Sequence, residues 1–343
     1  MSEPHHRWRA VGAVELGQLD EAPLDPLVGR QVQRFGVQRG RPLHARDELA
    51  EQVGESGLDG AAILGQDAVY DHLGQPDWNR TSFYVPNDYV FAVASRHSQT
   101  MIPCPSINPD RADALDEVAR CHARGARLFQ IHPPTQGVDV ADRKHLRFFR
   151  RCTELNMAVL VHTGHEHSAP VIDRHLAGPR RLEFALDQGC TIVACHAGTG
   201  WTTDTPDQLP EFVALLRRYP KLWGDTAVLG STGRVRDFGR LLDNPFVRDR
   251  LLHGSDFPFP VNPSAFRARI GDEAAERIGS ERNWLKKDLD LKEALGIGLA
   301  SARRAYQVAS AGWISERCNP LTAPIAAPEC PRRRQRFGFR WRR

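Results

Sequence analysis

Short apolar runs recur along the chain, with segments of helical periodicity between them. Residues 58–65 (LDGAAILG), 101–107 (MIPCPSI), 127–132 (RLFQIH), 157–162 (MAVLVH), 190–196 (CTIVACH), 222–228 (LWGDTAV) and 250–256 (RLLHGSD) are each of strand length. The connectors carry helix punctuation. In 108–125, Asn108 stands at a cap position and Pro109 at a first helical position; Leu115, Val118 and Ala119 follow at helical spacing, and Gly125 ends the pattern. Residues 142–156 repeat Leu146, Phe149 and Leu155 on one face, and the segments 179–189 and 207–220 stop at Gly189 and Pro220.

Strand–helix units spaced roughly 25–40 residues apart describe a parallel α/β protein. An open doubly wound sheet and a (β/α)8 TIM barrel both fit that alternation. No glycine-rich phosphate fingerprint follows the early strands, and polar strand ends are spread over many strands, as the top face of a barrel requires. The barrel is therefore the expected fold. Its eighth strand has to come from residues 7–17 (RWRAVGAVELG), a weak run with two glycines, so the first strand is expected to be atypical or missing. The expected organisation is an atypical N-terminal segment over 1–44, the barrel over 45–312, and an Arg/Pro-rich disordered tail over 313–343.

Composition narrows the class. The chain has 343 residues, 41% hydrophobic and 26% charged, ample for a large packed core. No apolar run approaches the ~18 residues that span a bilayer, and the polar N-terminus lacks a signal-peptide stretch, so a cytoplasmic protein without a membrane partner is expected. Seven cysteines without CxxC spacing read as reduced thiols, with Cys104, Cys190 and Cys195 as small buried hydrophobes. The net charge of +4 belongs to the end of the chain: the last thirteen residues carry seven arginines and no acid, which leaves −3 on the rest. Arginine interleaved with Phe337, Phe339 and Trp341 has the composition of a nucleic-acid or anionic-surface contact. It equally fits a solvated end, or an irregular end of the reading frame. The last two are preferred, and nucleic acid is not an expected partner. The sequence leaves the oligomeric state open.

Three strand endings carry candidate chemistry: VLVHTG with His162, IVACHAGTGW with His196, and LLHGSDFP with Asp256. In each an apolar run meets a polar group, and a small residue then lets the backbone turn. In a barrel those ends ring one mouth, so side chains 34 and 60 residues apart can converge there. Two imidazoles and a carboxylate suit a zinc-like divalent cation and an activated water.

The ordered set VHTG, CHAGTGW, DTAVLG and HGSDFP resembles the amidohydrolase superfamily. The closer likeness is to the amidohydrolase-related branch that contains aminocarboxymuconate-semialdehyde decarboxylase, over roughly residues 45 to 310. The resemblance implies a TIM-barrel hydrolase, or a decarboxylase, acting on a small carboxylate-bearing molecule through one divalent metal, zinc or manganese. It implies His162 and Asp256 as metal ligands, Asp256 also as proton shuttle, and His196 as acid, base or electrostatic stabiliser.

The chain departs from the family in two places. The family's first strand opens with Asp-x-His-x-His; here the early histidines are the adjacent His5 and His6, which would face opposite ways on a strand. Either the pair is lost, or the true first strand lies upstream of Met1, and without it metal affinity is expected to be weak or absent. The one His-x-His, His165-Glu166-His167, follows the fifth strand and can supply a local ligand set. The family's binuclear members carry a carbamylated lysine after strand four; Gln130 cannot form a carbamate, so at most one metal is expected. His132 and Glu166 are expected substrate contacts, though a turn before Pro133-Pro134 also accounts for His132. His253 is expected beneath the site, Asp225 in a local turn or against substrate, and Trp201 with the loop after it as a lid. Three readings result: a metal-dependent hydrolase, preferred; a metal-independent lactonase; and a barrel too defective for catalysis.

Overall fold

The computed structural model describes residues 11–15, 42–166, 168–200 and 206–317, and of residues 11–15, 42–47 and 312–317 only the main chain is described. Every apolar run yields a strand: β1 (Val11–Glu15), β2 (Gly60–Leu64), β3 (Met101–Cys104), β4 (Leu128–Ile131), β5 (Ala158–His162), β6 (Thr191–Cys195), β7 (Leu222–Asp225) and β8 (Leu251–Leu252). A helix follows each strand. These are α1 (Pro42–Glu55), α2 (Asn87–Arg96), α3 (Ala114–Ala123), α4 (Leu146–Glu154), α5 (Glu183–Asp187), α6 (Leu209–Arg218) and α7 (Val235–Leu242). After β8 come α8 (Trp284–Ala294) and α9 (Gly298–Arg317).

All ladders are parallel and join consecutive strands, β1-β2-β3 and β4-β5-β6-β7-β8. A parallel bridge between Ser106 and Gln130 links the two groups just beyond β3. Sequential parallel order with a helix after every strand is the architecture of a TIM barrel. The weak run at 7–17 holds a real strand: β1 pairs with β2 from Val11↔Gly60 to Glu15↔Leu64. The first strand is thus present, and its sequence, Val11–Glu15, contains no histidine. Among the described residues no ladder joins β8 to β1; α9 lies against both.

Period-two alternation divides the core. Phe129, Val159, Val161 and Ile192 pack outward against the helices. Leu128, Ala158, Leu160 and Val193 pack inward. Ala305, Tyr306, Val308 and Ala309 of α9 pack against this inner cluster and close the barrel floor. One helix start is displaced from its expected position. α3 begins at Ala114 rather than beside Asn108. The fully buried Asn108 accepts from Asp110 N at 2.9 Å through Oδ1, as a cap does, while its amide group donates to Ala68 O at 3.0 Å and Gln136 O at 3.4 Å, but regular helix starts only after the turn that follows. Among the described residues no helix is long and apolar enough to cross a membrane.

Candidate active site

His162 ends β5, and alternation turns it inward two residues after Leu160. His196 follows β6 directly, Asp225 ends β7, and Asp256 lies on the loop after β8. All four, with His132 and Glu166, line a single cavity of about 40 Å³. That is room for about two or three waters. Side chains far apart in sequence therefore share one rim.

The backbone at that rim is strained. His196 (φ 62°), Ala197 (φ 52°), Val228 (φ 58°) and Asp256 (φ 58°) adopt left-handed conformations, each costing about 1–3 kcal/mol outside glycine. Asp225 holds part of this geometry: its Oδ1 accepts from His196 N at 2.8 Å and Ala227 N at 3.1 Å. It is thus a turn residue that also faces the cavity.

Hydrogen bonding fixes the imidazole tautomers. His196 Nδ1 lies 3.1 Å from Ala227 O, which only accepts, so Nδ1 carries the proton. Burial pushes the His196 pKa below the ordinary histidine value, so the ring is neutral and Nε2 accepts. Its partner is His162 Nδ1 at 3.2 Å, which therefore donates. His162 is also held neutral, by burial first and then by the neighbouring His132 and His196. Its Nε2 is left with a lone pair and has no hydrogen-bond partner, although the residue is only 5% exposed.

Glu166 stands opposite. Ser168 N, Ser168 Oγ and Ala169 N all donate to its Oε1, and Oε2 lies 3.1 Å from His132 Nε2 and 3.7 Å from His162 Nε2. Burial alone would raise this carboxyl; the hydrogen bond with His132, the neighbouring His162 ring and the Ser168 contact outweigh it and hold the group well below the usual carboxylate range. His132 stacks on His162 with centroids 4.0 Å apart, and its Nδ1 lies 2.9 Å from Thr135 Oγ1. Among the described residues, His132, His162 and Glu166 are the one group of three whose donor atoms all lie within 4.8 Å of one another. Imidazole nitrogen and carboxylate oxygen are the donors that zinc or manganese takes, so these residues fit a divalent ion.

Buried cations support the loops. Arg234 donates to Thr199 O, to Thr199 Oγ1 at 2.9 Å and to His165 O at 2.9 Å, tying together the loops after β5, β6 and β7. Burial lowers its pKa to about 10 against the opposing charges of Asp256 and Glu166. Fully buried Lys292 on α8 donates to Asp288 Oδ2 at 2.5 Å and to Gly254 O at 2.6 Å, two residues before Asp256. His253 is buried beside this pair, beneath the site, with Nε2 3.8 Å from Asp288 Oδ2. Sequence reasoning passed over Lys292 and Asp288, yet a signal existed. Leu285, Asp288, Leu289 and Lys292 fall at i, i+3, i+4, i+7, which puts both charges on the buried stripe. Arg234 carried no comparable signal.

Gln130 donates to Gly65 O at 2.6 Å and Gln66 Oε1 at 3.2 Å on the same wall. A larger cleft of about 670 Å³ opens beyond Glu166, with Arg174, Arg180 and Arg181 in its wall. The five described cysteines, including Cys104, Cys190 and Cys195, are buried and unpaired. His5, His6, His167 and Trp201 with the four residues after it lie outside the described residues, and so do the tail residues Phe337, Phe339 and Trp341.

Comparison with known proteins agrees with this architecture. The most similar solved structures include an uncharacterized Tim-barrel protein from Bordetella bronchiseptica, at TM-score 0.55 and 17% identity, covering 88% of this chain and 99% of that one. A putative 2-pyrone-4,6-dicarboxylic acid hydrolase from Pseudomonas putida matches at TM-score 0.50 and 17% identity, over 86% and 98%. A 2,6-dihydroxybenzoate decarboxylase matches at TM-score 0.50 and 14% identity, over 88% and 98%. These likenesses establish the TIM-barrel fold. No curated protein matches the sequence. The family model described as Amidohydrolase matches residues 77–306, and the chain belongs to that family.

Proposed function

We propose that the protein is a metal-dependent hydrolase acting on a small carboxylate-bearing substrate at the cavity bounded by His162, His196 and Asp256. The observation that carries this reading is the buried, unpartnered His162 Nε2, aimed into a space that an acid and a second imidazole also line. A divalent ion there, zinc or manganese, would supply Lewis-acid polarisation of the reacting carbonyl. His196 keeps His162 in the tautomer whose Nε2 lone pair faces the cavity. Asp256, across the cavity, takes a proton from the attacking water and returns it to the leaving group. The arginines beyond Glu166 offer positive charge to a substrate carboxylate. The putative pyrone-dicarboxylate hydrolase among the similar structures agrees with this class, and the decarboxylase shows that the fold also hosts carbon–carbon cleavage.

The test is a screen of lactones, amides and carboxylated aromatics, run with added zinc or manganese and with chelator. Metal-stimulated hydrolysis is expected; CO2 release from the aromatics identifies a decarboxylase instead, and full activity in chelator identifies a metal-independent lactonase. Asp256→Asn is expected to lower kcat by about 10²–10⁴-fold with an unchanged circular-dichroism spectrum. Wild-type turnover in that variant would refute the assignment.

A further inference from the structure

Three basic atoms meet in the cavity wall: His132 Nε2, His162 Nε2 and Glu166 Oε2. We infer that these three, from the ends of β4 and β5 and the loop after β5, are the protein ligands of a mononuclear divalent-cation site, with Asp256 facing the ion as acid–base group rather than ligand. This deepens the proposed function and rests on it for the role of Asp256.

Proton accounting supports the assignment. His162 Nε2 has no donor, because His196 takes the ring's single proton at Nδ1. Glu166 Oε1 is saturated by three donors, which leaves Oε2 directed at the two rings. Thr135 Oγ1 accepts from Gln66 Nε2 at 3.0 Å, lies 3.3 Å from His132 O as donor, and has a second lone pair for His132 Nδ1–H at 2.9 Å. With the Thr135 hydroxyl donating to His132 O, His132 Nε2 is also a lone pair. Turning the Thr135 hydroxyl to donate to His132 Nδ1 puts the ring's own proton on Nε2, where it is donated to Glu166 Oε2, and still leaves His162 Nε2 bare. Lone pairs crowded into one buried space repel unless a positive charge sits among them.

Each donor also has a support that fixes its direction: His196 behind His162, Thr135 behind His132, and Ser168 with Ala169 behind Glu166. Such outer contacts orient metal ligands and set their tautomers. Two imidazoles and one carboxylate leave a fourth position for substrate or water, the pattern of an open catalytic site. The set needs nothing from β1, whose residues Val11–Glu15 offer no imidazole. It therefore supplies a route to metal binding in a chain that lacks the first-strand histidines. Asp256 lines the same cavity and is not a member of the three-atom group.

The test measures metal binding directly. Chelator-treated full-length protein is titrated with Zn²⁺ and Mn²⁺ by calorimetry, and bound metal is counted by mass spectrometry. One ion per chain is expected. His132→Gln and Glu166→Gln each weaken Zn²⁺ binding at least tenfold, and Asp256→Asn changes it less than threefold. X-ray absorption at the zinc edge of wild-type protein is expected to count two imidazoles, which needs no variant to fold. A count of one, or loss of zinc in Asp256→Asn with retention in His132→Gln, overturns the ligand set. So does a wild-type protein that binds no metal. Hydrolysis that persists without metal would overturn this site and leave the hydrolase standing; zinc bound by these ligands without turnover of any substrate would do the reverse.

Discussion

At the scale of residues, the site is built where the main chain is least comfortable. Val228 is β-branched and still has a positive φ, an outlier that persists only when its surroundings over-determine it. Gly164 shows how tightly the loops after β5 and β6 meet: at φ +86°, a Cβ there would lie 2.3 Å from Thr199 O. Backbone atoms cannot yield as a flexible side chain can. Gly164→Ala is expected to destabilise the fold by about 2 kcal/mol or more in urea denaturation. It should also weaken zinc binding, because Glu166 is two residues away; an unchanged midpoint would show that the loops separate freely. His162, His196 and Asp256 were visible in the sequence because each ends an apolar run. Glu166 and His132 were visible as residues, but nothing in their spacing revealed that their donor atoms face His162. Loop conformation has no periodicity to read.

At the scale of elements, α8 acts as a strut behind the loop after β8. Its Lys292–Asp288 pair is fully buried and anchors the Gly254 carbonyl, which Thr226 also approaches at 3.4 Å. Removing one partner leaves an uncompensated charge, whereas removing both does not. Lys292→Met is expected to cost about 3–5 kcal/mol of stability, and the double variant Lys292→Met/Asp288→Leu to regain most of it. Equal losses in the single and double variants, measured by denaturant unfolding, would show that the two charges are not coupled. Strand identity and order were legible at this scale because alternation between two buried faces leaves continuous apolar runs. The start of α3 was not. Asn108 does cap a local turn, its Oδ1 accepting from Asp110 N, but that turn does not run on into the helix.

At the scale of the whole molecule, α9 closes the barrel from below. Ala309 is 7% exposed and packs with the inner cluster of Leu128, Ala158 and Leu252, so the floor depends on a small apolar surface there. Ala309→Asp is expected to destabilise the protein by about 3 kcal/mol or more, since a carboxylate at that position has neither water nor a partner. The exposed control Arg303→Asp is expected to stay within about 0.5 kcal/mol. A matching thermal shift in both variants would show that α9 does not seal the interior.

The sequence by itself determined the parallel α/β class, the strand set and the three polar strand endings, because periodicity and strand-end polarity are local properties of a chain. Even the weak first strand was locatable, although its pairing with β2 depended on a partner about fifty residues away. Only the tertiary structure decided which lone pairs point at one another. That outcome depends on which hydrogen bonds occupy the far side of each ring and carboxylate, and those partners, Ala227, Thr135 and Ser168, come from three different loops.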